Sequence, residues 1–125
     1  MIHLDTHVVV WLYCKDLGRF PASVRALLET EQLVISPMVA LELEYLYEVK
    51  RTTSPAATVL QSLQHALDLR QDESSFAAVA NAATRLIWTR DPFDRMIAAQ
   101  ALVAGCPLLT ADVTIRQHLT CARWG

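Results

Sequence analysis

Ile2-His3-Leu4-Asp5-Thr6-His7 stands at the start of the chain, and the apolar stretch Val8–Tyr13 follows it directly. The short run Ile2-His3-Leu4 is typical of a buried strand, whereas Val8–Tyr13 has the length and composition of a first helix. Asp5 or Thr6 can cap that helix by accepting a hydrogen bond from its first turn. The segment therefore predicts a strand, a polar cap and a helix in direct succession.

A short apolar run followed by a helix recurs further along the chain. Leu33-Val34-Ile35 ends at Ser36-Pro37 and precedes a helical stretch, Met38–Lys50, while Leu108-Leu109-Thr110 precedes Asp112 and a last short helix. Continuously apolar strands that alternate with helices indicate parallel strands buried on both faces. We therefore predict an α/β fold, a three-layer α/β/α sandwich around a mostly parallel sheet, with residues 1–125 forming a single domain.

The remaining elements are predicted from helix signals and short apolar runs. Helices are expected over residues 21–31, 56–66, 72–88 and 91–103, and Gly105 fits the C-terminal cap of the last one. Strands are expected at residues 67–69 and 122–124.

Composition narrows the class of protein. Of the 125 residues, 53% are hydrophobic and 19% are charged, which excludes a disordered chain and leaves apolar surface for a subunit interface. Three glycines allow no GxGxxG or P-loop motif, and the three cysteines have no zinc spacing. No apolar run could span a bilayer and no signal-peptide pattern is visible, so we expect a cytoplasmic protein without membrane contact.

The net charge of −2 counts against a general nucleic-acid binder, whose affinity comes mostly from neutralising phosphates. It leaves room for an enzyme with a local basic rim. Basic residues that lie near acidic positions in the sequence are Lys50-Arg51, Arg90, Arg95 and Arg116, and the last three are the predicted substrate-contacting rim.

Four carboxylates stand beside apolar segments: Asp5, Glu42, Asp94 and Asp112. Asp5 and Asp112 follow strand-like runs, so both should emerge at the sheet edge where open parallel sheets bind ligands. Glu42 shares a helix face with four apolar residues, namely Met38, Val39, Tyr45 and Leu46. A carboxylate on that face should be buried, which is costly unless it is paired, protonated or bound to a metal.

If the fold gathers these four side chains, each raises the pKa of the others. A divalent cation that prefers oxygen ligands removes this conflict, which points to metal-dependent chemistry, most naturally on phosphate esters.

Each of these acidic residues also has a structural interpretation. Asp5 and Asp112 are good N-caps, and Asp91 is the natural N-cap of a helix with Pro92 at its first position. Asp94 lies one turn before Ile97 and faces the interior, so it is the better metal candidate of the Asp91 and Asp94 pair.

Several neighbours could assist the carboxylates or have purely structural roles. The hydroxyls of Thr6, Ser36 and Thr110 and the carboxylate of Asp91 could hold a water or orient another carboxylate. His7 is expected to be structural. Glu44 lies on the same face as Glu48, a pattern typical of a solvated surface without a functional role.

Together these segments resemble the PIN-domain ribonuclease family, in particular the VapC-type toxins of bacterial type II toxin–antitoxin modules. The resemblance rests on Leu4-Asp5-Thr6-His7, Leu41-Glu42-Leu43, Arg90–Ala101 and Leu109-Thr110-Ala111-Asp112. The part from Asp91 to Arg95 is the most specific.

The resemblance implies a PIN-like nuclease domain that forms a homodimer, uses Mg²⁺ or Mn²⁺, cuts RNA and is blocked by a cognate antitoxin protein. It places the catalytic acidic positions on Asp5, Glu42, Asp94 and Asp112. Asp5 and Asp94 would contact the metal, and Glu42 and Asp112 would act directly or through water.

Two other classes of function stay open on the sequence alone: another metal-dependent enzyme, either a phosphatase or a DNA nuclease, and a non-catalytic binding module. A metal-dependent phosphatase of the haloacid dehalogenase kind would carry Asp-x-Asp after its first strand, where this chain has Asp5-Thr6-His7. A metal-dependent DNA nuclease is not distinguished from a ribonuclease, because no reader of the 2′-hydroxyl can be recognised. A non-catalytic binding module with the same fold would be expected to lose acidic positions, and none of the four is lost.

Overall fold

A five-stranded, fully parallel sheet forms the centre of the computed structural model, which describes residues 1–125. The strands are β1 (Ile2–Leu4), β2 (Leu33–Ile35), β3 (Arg70–Gln71), β4 (Leu108–Leu109) and β5 (Ala122–Arg123). Their order across the sheet is β3-β2-β1-β4-β5. The chain thus builds outward from β1 in one direction and then in the other.

Seven α-helices accompany the sheet. They are α1 (Thr6–Tyr13), α2 (Ala22–Thr30), α3 (Pro37–Glu48), α4 (Ala56–Leu67), α5 (Phe76–Ala83), α6 (Pro92–Ala104) and α7 (Val113–His118), with a short 3-10 helix at Leu17–Arg19. None of the helices combines the length and apolarity needed to cross a membrane.

The central strand β1 is buried on both faces. Ile2, His3 and Leu4 are each no more than 1% exposed, although neighbouring residues of a strand point to opposite faces of the sheet. Helices therefore cover both faces, and the predicted α/β/α arrangement with a parallel sheet is confirmed. Most of the apolar core is one continuous cluster that includes residues of β1, β2, β4, α1, α3 and α6.

Polar side chains cap five of the helices; Asp5, Asp91 and Asp112 were predicted as caps from the sequence, whereas Ser36 and Ser75 were not. Asp5 caps α1, Ser36 caps α3, Asp91 caps α6 and Asp112 caps α7, each by accepting a hydrogen bond from a backbone N–H of the first turn. Three of these caps directly follow or closely follow a buried strand, so their side chains lie at the carboxyl edge of the sheet.

Two predicted elements were wrong in their limits. Residues 67–69 do not form a strand: α4 continues through Leu67, and Asp68 ends it in the left-handed conformation with φ 54°. The strand is instead Arg70–Gln71, an exposed edge strand without an apolar signature. The helix predicted over 72–88 is confined to Phe76–Ala83, because the Ser75 side chain caps it by accepting from the Ala78 N–H.

Gly105 ends α6 with φ 69°, a conformation that residues with a Cβ adopt at a cost. Gly105→Ala should therefore lower the free energy of unfolding by about 1–2 kcal/mol. Gly18→Ala is the matched control, because a Cβ built there meets nothing within 4 Å and its φ is not left-handed. Urea unfolding of both variants provides the measurement, and equal midpoints would contradict the argument.

Candidate active site

Four carboxylates, those of Asp5, Glu42, Asp94 and Asp112, line one cavity of about 350 Å³. The cavity lies beyond the carboxyl ends of β1 and β4, where the strand order changes direction and open α/β sheets bind their ligands. The other residues that line the cavity are Thr6, His7, Val10, Trp11, Leu46, Arg51 and Thr52. The structure therefore brings together all four acidic residues that the sequence singled out.

Strand pairing fixes the positions of Asp5 and Asp112. Leu4 of β1 is paired with Leu109 of β4, and the Asp5 N–H donates to the Leu109 carbonyl at 3.0 Å. Asp5 and Thr110 are therefore neighbours across the strand ends. Asp112 follows two residues later as the cap of α7, where its Oδ1 accepts from the Ile115 N–H at 2.9 Å.

Both carboxylate oxygens of Asp5 are held by hydrogen bonds. Its Oδ1 accepts from the Thr6 N–H and its Oδ2 from the Thr110 hydroxyl, both at 2.8 Å. The Thr110 Oγ1 in turn accepts from the Asp112 N–H at 3.1 Å. Thr110 thus connects Asp5 to the start of α7, and the side chain of Asp5, which is 6% exposed, has a fixed orientation.

Glu42 is joined to the first helix by a second threonine. The Thr6 hydroxyl donates a hydrogen bond to Glu42 Oε1, so α1 and α3 are tied together at the cavity. Burial raises the pKa of Glu42; the Thr6 hydrogen bond opposes this shift, and the negative charges of Asp5 and Asp91 add to it.

The prediction that Glu42 is buried holds only in part. The side chain is half-buried because it faces the cavity, and Tyr45, expected on the same apolar face, is 49% exposed.

Asp94 carries the strongest electrostatic perturbation among the four. Burial raises its pKa to about 7, and the charges of Asp91, Asp5, Glu42 and Asp112 all act in the same direction. Asp94 lies in the first turn of α6, one turn before the buried Ile97. At neutral pH the carboxyl group is therefore divided between its protonated and ionised forms.

The donor atoms of the cavity suit a hard cation, but they do not form a preassembled site. Carboxylate oxygens are the ligands that Mg²⁺ and Mn²⁺ prefer. No three carboxylate, histidine or cysteine side chains of the chain are gathered closely enough to hold one ion. A cation would have to draw the carboxylates inward or contact some of them through water, which is compatible with the several waters that Mg²⁺ retains.

His7 contacts the loop that leads to Asp112. Its Nε2 accepts from the Ala111 N–H at 2.9 Å, so the ring proton of the neutral form is on Nδ1, which lies 3.7 Å from Asp5 Oδ2. Burial lowers the pKa of His7, and the charges of Asp5 and Asp112 oppose that shift. A neutral His7 therefore fixes the β4–α7 loop, in line with the structural role expected for it.

A family model described as "PIN domain" matches residues 2–118 of the chain. The chain belongs to the PIN-domain family. It is 30% identical over 117 residues to Ribonuclease VapC22 of Mycobacterium tuberculosis (strain ATCC 25618 / H37Rv), and the match covers 92% of this PIN domain and 89% of the relative.

Three solved structures share the fold of this PIN domain at lower sequence identity. VapBC2 from Rickettsia felis, bound to a DNA fragment from its promoter, gives a TM-score of 0.68 at 18% identity and covers 100% of both chains. DNA-bound VapBC from Salmonella typhimurium gives 0.64 at 20% identity, covering 98% of this chain and 94% of that one. VapBC-1 from nontypeable Haemophilus influenzae gives 0.58 at 16% identity, covering 100% and 97%.

Some residues named as candidates in the PIN domain lie away from the cavity. Ser36 caps α3, and Asp91 caps α6 by accepting from the Phe93 and Asp94 N–H groups. Arg90 and Arg95 donate to backbone carbonyls of Ile87 and Thr89, and Arg116 lines a separate cavity beside Trp124. The three arginines predicted as a rim do not line the acidic cavity.

The basic side chain that does line the cavity is Arg51, in the loop after α3. Its position depends on a turn at Lys50, which has φ 64°, and on the Arg51 N–H donating to the Leu46 carbonyl at 2.8 Å. The sequence shows the Lys50-Arg51 pair as positive charge near the acidic positions, but it does not show that Arg51 lines the cavity. Glu44, expected to be solvated without a role, is half-buried and accepts from the Ala56 N–H at 3.0 Å at the start of α4.

A second buried polar cluster lies outside the cavity. Gln100 of α6 accepts from the Ser36 hydroxyl at 3.0 Å and donates to Asp72 Oδ1 at 2.8 Å, and His3 Nε2 lies 3.3 Å from Asp72 Oδ2. Burial raises the pKa of Asp72, but hydrogen bonds from Ser74 and Gln100 and the His3 charge outweigh it and lower the pKa overall. His3, expected to be a plain strand residue, therefore lies beside this cluster, but neither of its ring nitrogens has a hydrogen-bond partner within the protein.

The raised pKa of Asp94 gives a pH-dependent stability in metal-free buffer with EDTA. The folded-state pKa of about 7 lies above the ordinary 3.8, so between these values the folded PIN domain binds more protons than the unfolded chain. Stability contributed by the neutral Asp94 is present at low pH and is lost as pH rises through about 7. Asp94→Asn should therefore stabilise the fold clearly at about pH 8 and much less at about pH 5.

Urea unfolding of wild type and Asp94→Asn at both pH values measures this difference. Other titrating groups contribute to both proteins, so their contributions cancel when the two are compared at the same pH. The same gain in stability at both pH values would show that Asp94 does not titrate in this range.

Proposed function

We propose that this chain is an Mg²⁺- or Mn²⁺-dependent endoribonuclease of the VapC type, the toxin of a toxin–antitoxin pair that acts in the cytoplasm. The observation that carries the proposal is the cavity with four carboxylates, in which Asp94 has a pKa of about 7. Burial and, in addition, repulsion from the other carboxylates raise this pKa, and a bound cation offsets both by favouring the ionised form. The relative VapC22, named a ribonuclease, supports RNA as the substrate.

When bound, the cation supplies a hydrolytic nucleophile at neutral pH and offsets negative charge on the phosphate. Asp5 and Asp94 are the proposed direct ligands, with Glu42 and Asp112 acting directly or through water. The chain's own contribution is to orient these groups. Thr6 and Thr110 are positioning residues, because each donates its hydroxyl proton to a carboxylate of the cavity.

The remaining cavity walls support binding of a polyanion. Arg51 provides the positive charge that a phosphate needs beside four carboxylates. Val10, Trp11 and Leu46 are the apolar residues that line the cavity. Hydrolysis with departure of the 3′ oxygen requires no covalent intermediate on a side chain.

The nuclease proposal is tested by comparing two neighbouring glutamates. Glu42→Gln should slow single-turnover RNA cleavage by roughly a hundredfold or more, since the cation site contributes several kcal/mol to the transition state. Glu44→Gln should cleave at close to the wild-type rate, because glutamine can still accept from the Ala56 N–H.

The assay uses one mixed-sequence RNA and one DNA of the same sequence, each with Mn²⁺ and with EDTA. Equal losses in the two variants would place the catalytic carboxylate elsewhere. Cleavage in EDTA would contradict the cation dependence, and cleavage of the DNA alone would contradict the ribonuclease.

Metal binding is tested without an activity readout. Calorimetric titration of Mn²⁺ should show a loss of affinity of roughly tenfold or more in Asp94→Asn, since asparagine is a poorer ligand for a hard cation. Asp91→Asn should retain both stability and Mn²⁺ affinity, because asparagine caps a helix about as well as aspartate. Reversed behaviour of the two variants would exchange their proposed roles.

We further propose that the protein forms a homodimer and binds an antitoxin that places a basic side chain in the acidic cavity. On α3, Leu41 and Tyr45 are one turn apart and are 56% and 49% exposed, which gives an apolar stripe suited to a second copy. The VapBC names of the structural neighbours support a partner protein.

Sedimentation at micromolar concentration should show a dimer for wild type and a monomer for the double variant Leu41→Lys/Tyr45→Lys. Leu67→Lys is the control, because Leu67 is an exposed apolar residue, 43% accessible, on another helix. A monomeric wild-type protein would contradict the dimer.

A further inference from the structure

A second cavity of about 250 Å³ adjoins the acidic one. The two share three lining residues, Val10, Arg51 and Thr52. The second cavity has no carboxylate in its walls and is bounded by α1, by α3 and α4, and by the loop over residues 51–54. Its remaining lining residues are Tyr13, Cys14, Leu43, Thr53, Ser54 and Val59.

The loop that separates the two cavities has a defined conformation. Lys50 turns the chain with φ 64°, and the N–H groups of Arg51 and Thr52 both donate to the Leu46 carbonyl, at 2.8 and 3.3 Å. In the wall of the second cavity, the hydroxyls of Tyr13 and Ser54 are within hydrogen-bond distance of each other, at 3.2 Å. This contact joins α1 to the loop, and the backbone hydrogen bonds to Leu46 fix the start of the same loop.

Thr52 has an unusual feature at the shared wall. Its Oγ1 is buried and has no hydrogen-bond partner within the protein. Leaving a buried hydroxyl unpaired costs free energy, so such groups are uncommon unless something else satisfies them. A ligand with a polar edge would provide the missing partner.

The chemistry of the walls defines the class of ligand. Apolar side chains and the Tyr13 ring favour a flat, largely apolar group, and the Thr52 hydroxyl requires that group to have a polar edge. Arg51 is the one lysine or arginine that lines either cavity, and it lies where both cavities meet. A nucleobase attached to a phosphate combines these properties, and single-stranded RNA can turn its unstacked bases outward into such pockets.

We propose that this cavity binds the base of the nucleotide next to the scissile phosphate in single-stranded RNA, with Arg51 contacting the phosphate between base and carboxylates. The inference rests on the proposed ribonuclease function. It makes the cavity a determinant of where the RNA is cut, because a base that fills it places the adjacent phosphate at the carboxylates.

The first test removes the unpaired hydroxyl. Thr52→Val keeps the shape of the side chain, and it should not lower the thermal midpoint, because no hydrogen bond within the protein is lost. It should reduce kcat/KM for single-stranded RNA by roughly tenfold, the effect of one lost hydrogen bond to the ligand. Thr52→Ser keeps the hydroxyl and should retain most of the activity. A lower thermal midpoint with unchanged kcat/KM would overturn the proposal in favour of a purely structural Thr52.

The second test fills the cavity from its rim. Cys14 is exposed at the end of α1, so Cys14→Phe can direct a ring into the cavity without disturbing the core, and Cys14→Ser is the matched control. After the cut bond is mapped by sequencing RNA ends, the base on either side is removed by an abasic substitution. For wild type, one abasic RNA should bind more weakly by roughly tenfold, whereas Cys14→Phe should bind intact and abasic RNA equally well.

Binding is measured by fluorescence anisotropy in the Glu42→Gln background, so it does not depend on cleavage. One outcome is that RNA binds and is cut while Cys14→Phe and the abasic substitution weaken binding independently of each other. That result would overturn the base site and leave the nuclease proposal intact. RNA that neither binds nor is cut would overturn both proposals. If Cys14→Phe weakens only the complex with an antitoxin, the occupant of the cavity is a peptide and the proposal is wrong.

Discussion

Parallel pairing of β1 with two neighbours is the constraint on which the rest of the structure depends. β1 has only three residues, yet it pairs with β2 on one side and with β4 on the other. This register places Asp5 beside Thr110 and hence near Asp112, although more than a hundred residues separate them in the chain. A shift of one residue would move these side chains to the opposite face and would disperse the acidic cavity.

Repulsion among the carboxylates is the second organising feature of the molecule. Hydrogen bonds from Thr6 and Thr110 fix Asp5 and Glu42, whereas every influence on Asp94 raises its pKa. The group with a pKa of about 7 is thus the one whose ionisation responds most to a positive charge in the cavity. Cation binding and the ionisation of Asp94 should be coupled, so each would promote the other.

The sequence supported strong predictions where local chemistry decides the structure. Asp5, Asp91 and Asp112 follow simple rules for capping, and two of the four carboxylates could be assigned to the sheet edge because apolar strands precede them. Prediction failed at β3, because Arg70–Gln71 is a polar edge strand stabilised by pairing with β2 rather than by burial. Arg51 was recognised only as positive charge near the acidic positions, and Thr52 was given no role, because the placement of both depends on a loop that folds back onto Leu46. The metal and catalytic roles of the carboxylates stay predictions.

The hydrogen bond between Ser36 and Gln100 has a consequence for which substitutions this protein can accept. Ser36 caps the helix that carries Glu42, and Gln100 belongs to the helix that carries Asp94. This neutral hydroxyl–amide hydrogen bond joins α3 to the α6 side of the fold without involving either carboxylate. Glu42 and Asp94 can therefore be exchanged, in evolution or by design, while this link between their two helices is kept. Asp5 and Asp112 differ in this respect, because they also cap helices.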